Sequence, residues 1–324
     1  MRAIVVTEPG APDVLRIREV ADPEPAEGDV LVRVEAFGLN HAETYFRSGK
    51  WPGPAILGIE CAGTVLVDRT GTLAPGTPVV AFMGGMGRTR NGAYAELVAV
   101  PATNVVPVST SLPWTDLVAV PEVYSTAWSA LHANLALRAG ETLLVRGATS
   151  AVGRAAVDIA VDLGATVIGT TRSAARVASL RELGADRVLI DDGRLAEQVG
   201  ELGLTVDAVL DLVGNSVLRD SLHVVRPRGR VCQVGFLGGL APIDGFDPIA
   251  DLPTGVQLTF FGSFVLGTEH FPLADVPVAE LVARAEAGVY RARPGRVFRF
   301  EEVAEAHRLI EANELDGKAV VAVR

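Results

Sequence analysis

The chain has 324 residues, of which 49% are hydrophobic and 6% aromatic, and its formal net charge is −10. A single hydrophobic core stops growing at about 250–300 residues, so this length favours two domains. The basic residues are scattered along an acidic chain, which argues against nucleic acid or an anionic membrane as the main partner.

Cysteine usage and the N-terminus indicate a cellular compartment. Cys61 and Cys232 are the only cysteines and lie far apart, which is typical of a reduced cytosolic protein rather than a disulfide scaffold. The first residues, "MRAIVVTEPG", carry no signal-peptide pattern, and no apolar run is long enough to span a bilayer. We therefore expect a cytoplasmic protein.

Short β-branched runs separated by Pro, Gly and Asp dominate the first third of the chain: "RAIVV", "DVLVRVEAFG", "AGTVLV" and "TPVVAF". These runs are too closely spaced for β-α-β units, so they predict a β-rich module. Within this module, residues 37–49 read "FGLNHAETYFRSG" and concentrate polar side chains in a short stretch. This stretch could be a metal site, a proton-transfer site or a solvated loop.

The periodicity changes near residue 115 to helical spacing, in "TDLVAVPEVYSTAWSALHANLAL". From residue 142, continuous apolar strands alternate with helical stretches, as in "TLLVRG", "AVGRAAVDIAVDLG" and "TVIGTT". This alternation predicts a parallel, doubly wound sheet. After residue 268 the chain is helical again and ends on the strand "KAVVAV", a tail that we expect to return to the first module.

A strand, a loop of small residues and a helix follow one another in "TLLVRGATSAVGRAAVDIA". Small residues keep the backbone bare, so that amides at the helix N-terminus can approach a pyrophosphate. The usual G-x-G-x-x-G is incomplete, because Ala148 and Ser150 replace its first two glycines. An ordinary strand-to-helix turn is the alternative. The predicted dinucleotide contacts here are Gly147, Ser150, Ala151, Val152 and Gly153.

The end of the next strand, "GTTRSAAR", bears on which dinucleotide binds. NAD sites usually place an Asp or Glu there for the ribose hydroxyls. This chain has no carboxylate in the stretch, whereas hydroxyls and guanidinium groups could bind a 2′-phosphate. The pattern favours NADPH over NADH. In the alternative interpretation, Arg172 and Arg176 are solvated residues at the start of the following helix and bind no phosphate. The predicted contacts are Thr171, Arg172 and Arg176.

Several runs, in order along the whole chain, resemble the medium-chain dehydrogenase/reductase superfamily and its zinc-free quinone oxidoreductase branch. They are "GLNHAETYFRSG", "LGIECAG", "NGAYAEL", "PEVYSTAWSAL", "RGATSAVG" and "AHRLIEANELDGKAVVAV". The resemblance implies an α/β protein with a GroES-like β-rich catalytic domain, formed by residues 1–118 and 268–324. A Rossmann domain with a doubly wound parallel sheet is inserted at residues 119–267.

The zinc ligands of the related alcohol dehydrogenases are missing. Asn40 stands at the position of the ligating Cys, Ile59 at that of the His, and "PEVYST" offers neither thiol nor imidazole. Zinc is held by three or four soft or imidazole ligands, so we expect no metal. His41 with Glu43 or Glu60 is the alternative metal site. Neighbouring residues of an extended segment point to opposite sides, so Asn40 and His41 are not expected to face one cavity. We therefore expect His41 to be a partly exposed side chain.

Hydride transfer from NADPH to a conjugated acceptor needs no metal, but the oxygen that gains negative charge needs hydrogen-bond donors. The resemblance places Asn40 and Tyr45 beside the nicotinamide, and both are donors, so we predict them as the catalytic residues. Tyr45 as a packed aromatic side chain is the alternative. The resemblance also assigns cofactor contacts to Asn40, Thr126, Val213, Gly214, Gly235, Phe236, Ser263, Phe264 and Lys318, and plain turn geometry is the alternative for the glycines.

The apolar run "VQLTFFGSFV", residues 256–265, predicts an exposed sheet edge, which the family pairs across a two-fold axis. We therefore expect a homodimer. The expected function is NADPH-dependent, zinc-independent reduction of quinones or other conjugated carbonyls. Reduction of an enoyl thioester or enal is one alternative, and a non-catalytic, nucleotide-loaded binding or structural protein is the other.

Overall fold

The protein has fifteen β-strands and ten α-helices, and the computed structural model describes all residues 1–324. The strands are β1 (Arg2–Val6), β2 (Leu15–Glu19), β3 (Asp29–Leu39), β4 (Glu60–Asp68), β5 (Pro78–Phe82), β6 (Leu97–Pro101), β7 (Val105–Pro107), β8 (Thr142–Arg146), β9 (Thr166–Thr171), β10 (Arg187–Ile190), β11 (Ala208–Asp211), β12 (Arg230–Gln233), β13 (Gln257–Phe260), β14 (Pro294–Arg299) and β15 (Lys318–Ala322). The helices are α1 (His41–Arg47), α2 (Trp114–Leu117), α3 (Pro121–Ser129), α4 (Ala151–Leu163), α5 (Val177–Leu183), α6 (Leu195–Glu201), α7 (Leu218–Val224), α8 (Pro248–Asp251), α9 (Val278–Glu286) and α10 (Val303–Glu311).

These elements form two units. The first comprises Met1–Ser125, Ser263–Gly288 and Ala292–Arg324, and the second comprises Thr126–Gly262 with Val289–Arg291. The second unit is thus inserted into the chain of the first. The domain borders expected after residues 118 and 267 stay a prediction.

Strands β1 and β2 of the first unit form a small antiparallel sheet, and the larger sheet of this unit is antiparallel except at one edge. Its strand order is β14-β15-β3-β4-β5-β7, with β6 also paired to β3, and only β14 and β15 run parallel. Buried and half-buried side chains alternate along the first part of β3, which is the period of a strand that covers a core on one face. Pairing of β15 with β3 brings the C-terminal tail back to the first module, as predicted.

The sheet of the second unit has six parallel strands in the order β10-β9-β8-β11-β12-β13. The strand order reverses between β8 and β11, whose last residues, Arg146 and Asp211, are in register. Ligands of open parallel sheets bind outside the carboxyl ends of the strands at this reversal. The prediction of a doubly wound parallel sheet is therefore confirmed, and β13 lies at one edge of it.

The stretch 37–49 is not the extended segment assumed in the sequence analysis. Strand β3 ends at Leu39, Asn40 is the last extended residue, with φ −125° and ψ 150°, and α1 begins at His41. The sequence analysis assumed that Asn40 and His41 lie in one extended segment and therefore point opposite ways. That assumption was wrong, because the chain changes from strand to helix between them. The Glu43 side chain stabilises this helix start by accepting the backbone N–H of Asn40 at 2.6 Å. His41 is half-buried, as expected.

None of the helices is both long and apolar enough to cross a membrane.

Candidate active site

The side chain of Asn40 is held by a buried ion pair in the first unit. Its Nδ2 donates to Glu60 Oε1 at 2.9 Å, and its Oδ1 accepts from Lys318 Nζ at 2.5 Å. Lys318 also forms an ion pair with Glu60, and both side chains are less than 5% exposed. A Cβ on Gly38 would meet Glu60 and would lie 2.7 Å from Lys318 Cε, so only a glycine admits this close approach. Asn40 and Lys318, both predicted, thus meet in one polar cluster.

Glu122 extends this cluster towards a third predicted residue. Its Oε2 lies 4.0 Å from Lys318 Nζ, and its Oε1 accepts the hydroxyl hydrogen of Ser263 at 3.1 Å. Sequence reasoning missed the roles of Glu60 and Glu122, because it weighed the first only as a metal ligand and the second not at all. The available signal was a carboxylate inside an otherwise apolar run, in "GIECAG" and in "PEVYST".

The cluster does not have the donor set of a zinc site. Asn40 and Ile59 stand at the positions of two ligands, and the ammonium of Lys318 already neutralises Glu60. Burial, helped by the charge of Glu60, raises the pKa of the Cys61 thiol to about 12, so no thiolate forms near neutral pH. The chain has no group of three or more His, Cys, Asp and Glu side chains that could hold a metal ion. Zinc therefore does not fit these residues.

A buried carboxylate lies behind Asn40. Glu43 accepts the backbone N–H of Asn40, that of Ile59 at 3.0 Å and the hydroxyl of Tyr94 at 2.8 Å, and that hydroxyl lies 3.0 Å from His307 Nε2. Burial raises the pKa of Glu43 to about 7 although these hydrogen bonds oppose the shift. Burial, helped by the charge of nearby Arg47, lowers the pKa of His307 to about 3. Glu43 therefore ties the start of α1 to the residue before Glu60, which fixes the positions of Asn40 and Glu60.

We expect Glu43 to make stability fall as the pH rises. Because folding raises its pKa from 4.5 to about 7, the native state keeps a proton that the unfolded chain releases. The stability linked to that proton is complete below pH 4.5 and is lost as the pH rises through 7. Between pH ~5 and ~8 the wild type should lose on the order of 2–3 kcal/mol relative to Glu43→Gln. Urea unfolding of both proteins across this range measures the difference.

His307 also changes stability with pH, but it does not affect this comparison. Its lowered pKa gives stability that is present above pH 6.5 and is lost as the pH falls towards 3, which is the opposite direction. Both proteins retain His307, so its contribution cancels in their difference. Parallel stability curves for wild type and variant would contradict the role of Glu43.

Tyr45, the second predicted catalytic residue, is only 7% exposed. Its ring packs edge-on against His41 and Trp51, with centroids 5.2 and 5.0 Å apart. Burial raises the pKa of its phenol, which makes the group a weaker acid. Arg47, two residues later in α1, is buried and pairs with Glu311, and so anchors α1 to α10.

The loop after β8 has the geometry of a phosphate cradle in the second unit. Gly147 has a φ of +85°, and Ser150 is the N-cap of α4, where its Oγ accepts the Gly153 N–H at 3.1 Å and donates to the Gly147 carbonyl at 2.9 Å. The backbone N–H groups of Ala151 and Val152 have no hydrogen-bond partner within the protein, and both residues are partly exposed. Such orphan donors at a helix N-terminus favour a phosphate.

The end of β9 lies next to this loop. Gly147 N–H donates to the hydroxyl of Thr170 at 3.1 Å, which joins the two strand ends. Thr171 is buried and its hydroxyl accepts the Ser173 N–H, whereas Arg172 is exposed and Arg176 half-buried. No carboxylate occurs between residues 170 and 176.

The loops after β11 and β12 pack against each other. Buried Asp211 accepts the N–H groups of Val213 and Gly214 at 2.9 and 2.8 Å, and burial raises its pKa. A Cβ on Gly235 would lie 2.9 Å from the carbonyl carbon of Leu212, so these turns need small residues. Phe236 packs against Phe260, with ring centroids 5.9 Å apart. The predicted residues Val213, Gly214, Gly235 and Phe236 thus lie at the carboxyl ends of neighbouring strands, whereas Thr126 is buried in α3.

Arg146, which immediately precedes the cradle, is a residue that sequence reasoning missed. Its side chain is fully buried and pairs with Asp191 at 2.8 and 2.9 Å and with Asp220 at 2.8 Å. These contacts tie the end of β8 to the segment after β10 and to α7. The only signal in the sequence is an arginine at the end of the apolar run "TLLVR".

Two family models match the chain: the alcohol dehydrogenase GroES-like domain over residues 26–110 and the zinc-binding dehydrogenase over residues 151–278. A quinone oxidoreductase from Lama guanicoe is 31% identical, over 100% of this chain and 98% of its own. The crystal structure of an NAD-dependent alcohol dehydrogenase is 28% identical, with a TM-score of 0.86 and full coverage of both chains. A mycobacterial protein solved in complex with NADPH is 29% identical, with a TM-score of 0.83 and full coverage of both chains.

These likenesses cover both units and the whole length of the chain. They confirm the predicted combination of a GroES-like domain with a Rossmann-like parallel sheet. The chain belongs to the medium-chain dehydrogenase/reductase superfamily, in which it is an oxidoreductase of the quinone oxidoreductase family.

Proposed function

We propose that this oxidoreductase uses NADPH to reduce quinones or other conjugated carbonyl compounds without zinc. The observation that carries the proposal is the buried cluster of Asn40, Glu60 and Lys318. It holds the amide of Asn40, which stands at the position of the ligating Cys of the zinc enzymes, against the ammonium of Lys318. A carbonyl that is already electrophilic needs donors for its oxygen and does not need a Lewis acid.

The second unit supports NADPH as the cofactor. The free N–H groups of Ala151 and Val152 suit a pyrophosphate. The end of β9 has no carboxylate to repel a 2′-phosphate and presents the exposed guanidinium of Arg172. One fold relative is solved with NADPH and another is described as NAD-dependent. The choice of NADPH over NADH for this chain therefore rests on its own residues. Ser150 and Gly153 set the conformation of the loop after β8. Thr171 and Arg176 are the other proposed cofactor contacts at the end of β9.

When bound, the reduced nicotinamide supplies the hydride that the acceptor takes up. Asn40 has a second Nδ2–H besides the one that Glu60 accepts, and Lys318 has a third N–H besides those directed at Glu60 and Asn40. These two donors stabilise the negative charge that develops on the acceptor oxygen. Glu43 holds Asn40 in position, and Ser263 is bound to Glu122 beside Lys318. Tyr45, in the helix that begins after Asn40, stays the second proposed substrate-facing residue.

We also propose a cytoplasmic homodimer. Strand β13 is an edge of the six-stranded sheet, and Leu258 and Phe260 on it are 37% and 54% exposed. Unpaired apolar edges promote association, and pairing of two β13 strands would bury these side chains.

Anaerobic assays of NADPH oxidation test the proposed function. Naphthoquinone, an enone, crotonyl thioester and a saturated ketone are compared as acceptors, each with NADPH and with NADH. We expect turnover of the conjugated acceptors, led by the quinone, and a preference for NADPH of about tenfold or more, the effect of one charge-assisted hydrogen bond. A zinc chelator should leave the rates unchanged.

Two results would change the assignment. A higher kcat/KM for the thioester than for the quinone would indicate an enoyl reductase. Tight NADPH binding without turnover of any conjugated acceptor would indicate a nucleotide-loaded binding protein.

A further inference from the structure

Arg88 lies in a glycine-rich loop that packs on the chain segment leading to Glu60 of the polar cluster. The loop "MGGMGRTRNG", residues 83–92, turns through Gly85 and Gly87 with positive φ angles. A Cβ on Gly87 would lie 2.8 Å from the backbone nitrogen of Gly58, so the loop packs directly on the chain that leads to Glu60. The backbone N–H of Arg88 donates to the Gly85 carbonyl at 3.1 Å. The position of Arg88 is therefore fixed by backbone packing.

Two aromatic rings flank the guanidinium of Arg88. Its central carbon lies 4.3 Å from the ring centroid of Phe264 and 5.8 Å from that of Phe46. Phe264 directly follows Ser263, which is bound to Glu122 of the cluster. Phe46 belongs to α1, which begins after Asn40, and packs against Trp51. Phe46 therefore belongs to the helix that carries Tyr45, and Phe264 belongs to the segment that carries the predicted cofactor contact Ser263.

The charge of Arg88 has no counter-ion in the protein. Its side chain is half-buried and makes no hydrogen bond or ion pair, and burial alone lowers its pKa. A guanidinium stays charged at any physiological pH and has five N–H donors. Arg90, two residues later, shows the usual arrangement, because it forms a bidentate pair with Asp29. A half-buried guanidinium with free N–H donors beside two aromatic rings is well suited to pair with an anionic group of a ligand.

We propose that Arg88 binds an acidic group of the acceptor, so that the preferred substrate is a conjugated carbonyl compound with a carboxylate or phosphate. The proposal rests on the proposed function and narrows its substrate class. The two rings flank the guanidinium, and its N–H donors can pair with the anion. Arg88 thereby determines specificity and takes no part in the hydride step.

A matched pair of acceptors tests this inference: a benzoquinone with a propanoate side chain and the methyl ester of the same compound. The saturated spacer separates the acid or ester group from the ring, so the two quinones have similar reduction potentials. The wild type should show about tenfold to a hundredfold higher kcat/KM for the acid, as expected of a charge-assisted hydrogen bond. The ratio should fall as salt is added, because the anion approaches a partly exposed cation.

Arg88→Met should abolish the preference for the acid and leave kcat/KM for the ester within about twofold, since the neutral compound makes no ionic contact. Arg88→Lys should retain part of the preference. Arg69→Met is the matched control, because Arg69 is exposed and follows the end of β4 remote from Glu60. This control should keep the wild-type ratio.

An equal kcat/KM for acid and ester in the wild type, or an unchanged ratio in Arg88→Met, would overturn the proposal. Calorimetric binding of the acid to wild type and Arg88→Met reports on Arg88 without turnover. If the acid binds through Arg88 but no acceptor is reduced, the proposed function fails and the anion site stands. If turnover occurs without any effect of Arg88, the anion site fails and the proposed function stands.

Discussion

Lys318→Met should lower kcat/KM for quinone reduction by a factor of roughly a hundred to a thousand, the usual effect of removing one donor to a developing oxyanion. The same change should cost about 3–5 kcal/mol of unfolding free energy, because it leaves the carboxylate of Glu60 buried without its cation. Steady-state kinetics and urea unfolding measure the two effects on one preparation.

The double variant Lys318→Met with Glu60→Gln separates chemistry from stability. It removes both charges of the Lys318–Glu60 pair, so part of the lost stability should return while turnover stays low. Buried Glu122 still loses the ammonium 4.0 Å away, which limits the recovery. Lys50→Met is the matched control, because Lys50 is the only other lysine of the chain and is exposed. Wild-type turnover in a well-folded Lys318→Met protein would refute the role of this ammonium.

Gly153→Ala should weaken NADPH binding by about a hundredfold or more, since it disturbs two backbone donors to phosphate, each worth about 1.5–3 kcal/mol. The added Cβ would lie 2.5 Å from the Gly147 carbonyl oxygen and 2.7 Å from Ala148 Cα, so loop and helix must separate. Fluorescence titration of the cofactor measures the loss.

Gly200→Ala is the control for this substitution within the same unit. Gly200 lies in α6, and a Cβ there would meet nothing within 4 Å. Alanine should raise stability by up to about 1 kcal/mol and leave cofactor affinity unchanged. NADPH affinity retained by Gly153→Ala would show that the cradle does not bind the phosphates.

The sequence predicted the fold well because the relevant signals are local. Alternating β-branched runs and the strand-loop-helix stretch around Gly153 are properties of neighbouring residues. The stretch 37–49 was harder, because α1 has only seven residues and depends on the Glu43 carboxylate for its start. A helix this short has little propensity of its own and is stabilised by its surroundings.

The site was predicted only in part, and the gaps have a common cause. Asn40 and Lys318 are 278 positions apart, and Glu60 and Glu122 join them only after the tail has paired with β3. The sequence shows that these carboxylates exist and gives no measure of their burial or partners. Arg146 illustrates the same limit, since other segments of the second unit contribute its partners Asp191, Val217, Asp220 and Ser221.

Burial of both cysteines has a consequence for the proposed reduction of quinones. Such acceptors are electrophiles that arylate any thiolate within reach. Burial raises the pKa of Cys61 to about 12 and that of Cys232 to about 11, and both side chains are almost entirely covered. The folded protein therefore offers no nucleophilic sulfur to its own acceptors, and suicide inactivation by Michael addition is confined to molecules that have unfolded.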